Sequence, residues 1–210
     1  MQAKSSPSKQ ALGRTFTEVA RRAQIVDAAI EVIADQGYPN ASFAKIAKQA
    51  GLSSTGMISY HFQGKGDLIR EVVARIMRTS AEYVVAKLDT EDGHRGRLRG
   101  FFAANLALID EYPKHMRALS NIAANAGTDD PHLFGLVEQL DSMSAAQVER
   151  LREGQRDGAF RAFDPVVMLM AIRGSVDAAI ARAAADPAFD TAACAQELAD
   201  IFDRATRKDA

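Results

Sequence analysis

The sequence predicts an all-α fold, and three observations carry that expectation. Apolar residues recur at intervals of three and four through most of the chain, as on one face of a helix. Aromatic residues make up only 7%, tryptophan is absent and alanine is abundant. Alanine loses no side-chain entropy in a helix, so this mix favours helices over strands. No stretch alternates convincingly as a strand would, and no repeat is evident.

About nine helices follow in order. Residues 1–17, rich in Ser, Lys and Gln, are expected to form a flexible tail. From Glu18 a helix carries Ile25, Ala29 and Val32–Ile33 on one face and ends at Gly37. Ser42 suits an N-cap, with Phe43, Ile46, Ala47 and Ala50 forming the stripe of the next helix. Gly51 breaks it, and Ser53 is a candidate cap for a third helix reaching Phe62. Asp67 opens a long helix to about Leu88, and residues 90–100 read as a polar, solvated turn before a helix centred on FFAANLALID. Pro113 permits a new start, because proline fits a first turn. Asp130–Pro131 and Asp164–Pro165 repeat a cap-plus-proline signature, the second helix running to about Ala185. Asp190 or Thr191 caps the last helix.

The object that points to function is residues 42–62: two short amphipathic helices around the tight turn AGLS, which is helix-turn-helix spacing. In the second helix Ile58 and Phe62 face inward with Leu52, leaving Ser54, Thr55, Ser59 and Tyr60 on the other side. Such a face suits a DNA major groove, where hydroxyls meet base edges and phosphates. Gly56, read as interior to this helix, would let the backbone come close to its partner. Lys65 at a helix start is poor dipole placement unless it receives a phosphate with the backbone amides, and His61 would serve a second phosphate. Charge agrees: residues 1–75 hold ten Lys or Arg and six Asp or Glu, a net of +4, against −5 for the remainder.

Residues 21–69 closely resemble the DNA-binding domain of the TetR family of transcriptional regulators. The resemblance rests on Ala29, Gly37–Tyr38, Ser42, Ile46–Ala47, Ala50-Gly51-Leu52-Ser53, Tyr60-His61-Phe62, Lys65 and Leu68. It implies a DNA-binding head over residues 18–66 and a ligand-binding, dimerising helical body over 67–210. It implies DNA contacts at Ser42, Thr55, Tyr60, His61 and Lys65, with Ser59 beside them. The partners implied are a palindromic duplex, a second copy of the chain and a small-molecule effector of unknown identity.

In the body, VVMLMAIRGSVDAAIARAAA is apolar on almost every side, so it should be buried on every side. One side would pack internally and the other on a second subunit, with Gly174, Ala178 and Ala181 allowing close approach and Arg173 pairing with Asp177. Leu198, Ile201 and Phe202 of the last helix would complete this interface. Amides among apolar neighbours mark a candidate pocket: Asn105, Asn121 and Gln147, with Phe102, Ile109, Met143 and Met170.

The chemistry of an enzyme finds no support in the pattern. His61 has no Ser, Cys or Asp partner pattern, and the sequence around Lys65 fails as a phosphate loop because Gly66 follows the lysine. His94, His115 and His132 lack metal spacing and read as surface residues, so no metal or cofactor is expected. The single cysteine, Cys194, fits a reducing cytoplasm, and no apolar run has the roughly 18 residues of a membrane span. Lys4, Lys9 and Arg14 of the tail have a reach to DNA as the alternative to a plain tail. The overall expectation is a DNA-binding repressor released by ligand. The alternative is a helical protein-interaction module that binds no DNA.

Overall fold

The structure, a computed structural model, describes residues 9–125 and 134–208, with side-chain surroundings for 17–125 and 144–208. Nine α-helices lie among the described residues: α1 (Lys9–Gln36), α2 (Phe43–Gln49), α3 (Gly56–His61), α4 (Lys65–Leu88), α5 (Gly93–Glu111), α6 (Pro113–Asn125), α7 (Phe134–Arg156), α8 (Pro165–Ala185) and α9 (Thr191–Thr206). A single 3-10 turn, Tyr38–Asn40, follows α1. The only β pairing among the described residues is an isolated bridge between Phe160 and Arg207.

Local chemistry explains most starts and stops. Ser42 Oγ accepts from Lys45 N at the start of α2. Asp164 accepts from the amides of Val166 and Val167 ahead of Pro165, and Asp190 accepts from Ala193 N. Gly51 takes φ +64 between α2 and α3, a left-handed conformation that a Cβ would strain.

Three local expectations need correction. Residues 9–17, assigned to the tail, continue α1, while residues 1–8 fall outside those described. Gly56 is the first residue of α3, and the residue preceding the helix is Thr55 rather than Ser53. The expected turn over residues 90–100 is helical from Gly93, where Arg95 and Arg99 have partners on α9. Arg95 makes a two-pronged contact with Asp203 (2.8 and 2.7 Å), and Arg99 reaches Asp200 at 2.6 Å. The Asp130–Pro131 start lies outside the described residues.

Two apolar cores result. The first joins α1–α4 and also takes in Leu108, Met116, Ala118 and Ile122 from α5 and α6. Packing therefore does not stop at residue 66, where the sequence reading divides head from body. The second gathers α5, α7, α8 and α9 around Phe102, which stacks on Phe202 with ring centres 5.1 Å apart. Helices α4 and α5 run between the two.

Candidate functional site

The helix-turn-helix is α2 and α3, held from beneath by α1. Ile46, Ala47, Ala50, Ile58 and Phe62 point into the first core, as their spacing requires. What remains outward is the polar face: Ser54, Thr55, Ser59 and Tyr60 are exposed, with Met57 the only large aliphatic group among them. Tyr60 is 71% exposed, an aromatic side chain with little internal packing to justify its position. Its hydroxyl donates to Glu18 Oε1 at 3.4 Å, and its ring meets the edge of His61. Lys45 and Lys48 are exposed on α2 and add charge on the helix beside α3. Sequence reasoning passed over both, although they contribute to the basic first third.

The remaining predicted contacts are more occupied than expected. Ser42 is exposed but its hydroxyl caps α2. Lys65 donates from Nζ to Tyr38 O at 3.0 Å and lies 4.5 Å from the centre of the Tyr38 ring, tying α4 to the segment after α1. Burial lowers its pKa. Two of its three N–H donors remain for an outside acceptor. The His61 carbonyl accepts from Arg22 Nη1 at 2.5 Å, and its ring is half-buried.

Residues 25–72 match the family model described as bacterial regulatory proteins, tetR family. That stretch carries the DNA-binding domain of a TetR-type regulator. Over 90 residues it is 34% identical to the transcriptional regulator BetI of Burkholderia ambifaria, a match that spans 40% of this chain and 44% of that protein. Over the rest of the chain the likeness is one of fold. A TetR transcription regulator from Haloarcula marismortui superposes with TM-score 0.79 at 18% identity, over 90% of this chain and 100% of that one. A Saccharomonospora viridis protein solved with choline gives 0.79 at 22%, over 91% and 100%. FadR of Bacillus subtilis, solved with stearoyl-CoA, gives 0.72 at 22%, over 85% and 96%.

The body holds a cavity of about 120 Å³ between the C-terminal end of α4, the start of α5, α7 and α8. Leu98, Phe101, Leu151, Phe160, Leu169 and Ile172 supply apolar wall. Polar groups on it include His94, Arg97, Gln147 and Arg150. His94, expected at the surface, is half-buried and its Nε2 pairs with Asp157 Oδ2 at 2.8 Å. Gly154 makes this corner possible: a Cβ there would lie 2.3 Å from Phe160 Cδ2 and 3.3 Å from His94 Cγ.

Of the predicted pocket residues whose side chains are described, only Gln147 lines this cavity. The asparagines lie off this cavity and have partners within their own helices. Asn105 donates to Phe101 O at 2.8 Å and Asn121 to Arg117 O at 3.0 Å, so each amide finds an acceptor four residues back on its own helix. Phe102 is fully buried against Phe202, Ile109 is half-buried off the cavity wall, and Met170 is 69% exposed. The Met143 side chain lies outside the described residues, as does His132. Phe101, Leu151 and Phe160 carried no local signal, since they meet only when α5 and α7 pack.

The predicted interface also divides. Gly174, Ala178, Ala181 and Ile201 are exposed in the single chain, alongside Val166, Val167 and Met170. Phe202 instead belongs to the second core, and Leu198 is half-buried against it. Arg173 and Asp177 form no ion pair, although both are among the described residues. Helix α8 is apolar all round, yet one side of it faces solvent here. No group of three or more His, Cys, Asp or Glu among the described residues is placed to hold a metal ion. No helix among them is long and apolar enough to cross a membrane.

Proposed function

We propose that this chain is a cytoplasmic, homodimeric repressor that reads a palindromic duplex and is released by a small molecule. The observation that carries the reading is α3. Its apolar side is consumed by the core, while Ser59 and Tyr60, with Ser54 and Thr55 before them, form an exposed polar face beside Lys45 and Lys48. Hydroxyls and a phenol at that position suit base edges, and lysines beside them suit phosphates. The exposed apolar side of α8, with Ile201 of α9, supports pairing with a second copy, which would set two α3 helices on two half-sites. The cavity is the best candidate for the effector, being mostly apolar with a few polar groups. Choline and stearoyl-CoA in two structural neighbours support an effector of some kind without choosing its chemistry. An effector acts only as far as its affinity differs between two states of the body.

Selection of random duplexes by the purified chain, followed by a salt titration of the winner, tests this. A palindrome bound with a steep salt slope is the expected result. A dimer free of ligand that enriches no sequence would favour the protein-interaction alternative. Tyr60→Ala should weaken the selected duplex by about tenfold or more while the fold stays intact. Lys65→Ala should weaken it too, but with some loss of stability, because the tie to Tyr38 goes with it.

A further inference from the structure

Arg22 serves three partners at once. Its Nη1 donates to His61 O at 2.5 Å, its Nη2 lies 3.4 Å from Glu71 Oε1 on α4, and its guanidinium sits 4.3 Å from the centre of the Phe62 ring. The need for such a residue follows from the shortness of α3. A six-residue helix has few internal bonds, and its last carbonyls lack helical donors. A cation at that end also complements the helix dipole. Gln24 does the equivalent for α2, donating from Nε2 to Ala50 O at 2.7 Å. Helix α1 thus clips the C-terminal ends of both helices of the motif with polar side chains, apart from the apolar core.

The two clips differ in one respect. Gln24 accepts from Arg21 on its own helix, whereas Arg22 is held by a carboxylate of α4. That helix continues to Val85 and Leu88 on the cavity wall. We propose that Arg22 is a positioning residue that sets the orientation of α3, and that Glu71 makes this setting depend on where α4 stands. The proposal rests on the DNA-binding reading above and extends it to a residue outside the recognition helix. A lysine cannot replace it, since only the planar fork reaches a carbonyl and a carboxylate while lying over a ring.

The test compares wild type, Arg22→Lys, Arg22→Gln and Glu71→Gln on the selected duplex and on a scrambled one, across a salt series. Amide hydrogen exchange of the DNA-free proteins runs alongside. Both Arg22 variants should bind the selected duplex about tenfold more weakly, with scrambled binding nearly unchanged. Amides of residues 59–62 should exchange about tenfold faster, with those of α6 unaffected. Glu71→Gln should fall between these and wild type. A wild-type selected-to-scrambled ratio in Arg22→Lys, or unchanged exchange in α3, would overturn the proposal. So would an Arg22→Gln protein whose salt slope drops by about one with that ratio intact, the mark of a direct phosphate contact. If the wild type selects no duplex, the DNA-binding reading fails on its own, and the exchange data alone decide whether Arg22 holds α3.

Discussion

The two cores of this chain are built by different means. The first is aliphatic: Ile25, Ile30, Ile33, Ile46, Ile58, Leu68 and Ile76 are almost fully buried, with Phe62 as its one ring of comparable burial. The second relies on rings and on charge. Phe102 stacks on Phe202, Phe160 and Phe163 lie nearby, and Arg95 grips Asp203 across 108 positions of sequence. Residues 25–72, which the family model matches, fall largely within the first core, whereas the body's likeness to known proteins emerges through shape at 18–22% identity. A core made from neighbouring short helices constrains a contiguous stretch of residues. A core made from distant helices admits many sequences with the same outline.

The largest expected effect tests whether the cores are separable. Phe102→Ala should cost about 3 to 5 kcal/mol, since the ring is fully buried and stacked. Because α4 and α5 link the cores, urea unfolding followed by circular dichroism should remain a single transition moved to lower urea. A first step that spares the amides of α1–α3 would make the cores independent units.

Asp203→Asn should cost about 2 kcal/mol. The carboxylate is buried, but Arg95 is half exposed, so the charge left behind stays partly hydrated. The hydrogen bond from Arg95 is the main cause that holds the Asp203 pKa below the ordinary carboxylate value, against the opposing effect of burial. A lowered native pKa means stability that is fully present above the ordinary value and lost as pH falls through the native one. The variant should therefore show a flatter acid limb in urea midpoints measured from pH 7 down to 3. An acid limb as steep as that of wild type would assign acid sensitivity elsewhere.

Gly154→Ala should cost about 1 to 2 kcal/mol, overpacking against Phe160 being partly offset by the roughly 1 kcal/mol that alanine returns to a helix. Its thermal midpoint should fall below that of wild type; a rise would mean that Phe160 has room to yield. The smallest effect belongs to the outward face of the head. Tyr60→Ala should change stability by no more than about 0.5 kcal/mol, since the ring is exposed and its bond to Glu18 is long. A larger loss in thermal unfolding would place that ring in the structure's stability rather than in recognition.

The legible part of the site was the part written in helical periodicity and caps. Ile58 and Phe62 turned inward because their spacing left no other choice, and Ser59 and Tyr60 turned outward for the same reason. Asp164 and Asp190 cap where expected. The cavity was illegible because its wall is assembled from α4, α5, α7 and α8, which no short-range pattern brings together. Asn105 and Asn121 satisfy themselves on the preceding turn, and no sequence pattern distinguishes that from a ligand contact. Arg95 and Arg99 behave in the opposite way, looking solvated in sequence while their acids lie a hundred positions later.

By itself, then, the sequence determined the all-helical class, the helix-turn-helix and the outward face of α3, because periodicity and capping act within a few residues. The tertiary structure alone decided three further things. It made Arg22 a joint between α3 and α4, closed the corner of Gly154, His94 and Phe160, and put Phe202 inside while Ile201 faces out. Each depends on the distance and angle between helices far apart in the chain, and only the packing of their side chains sets those.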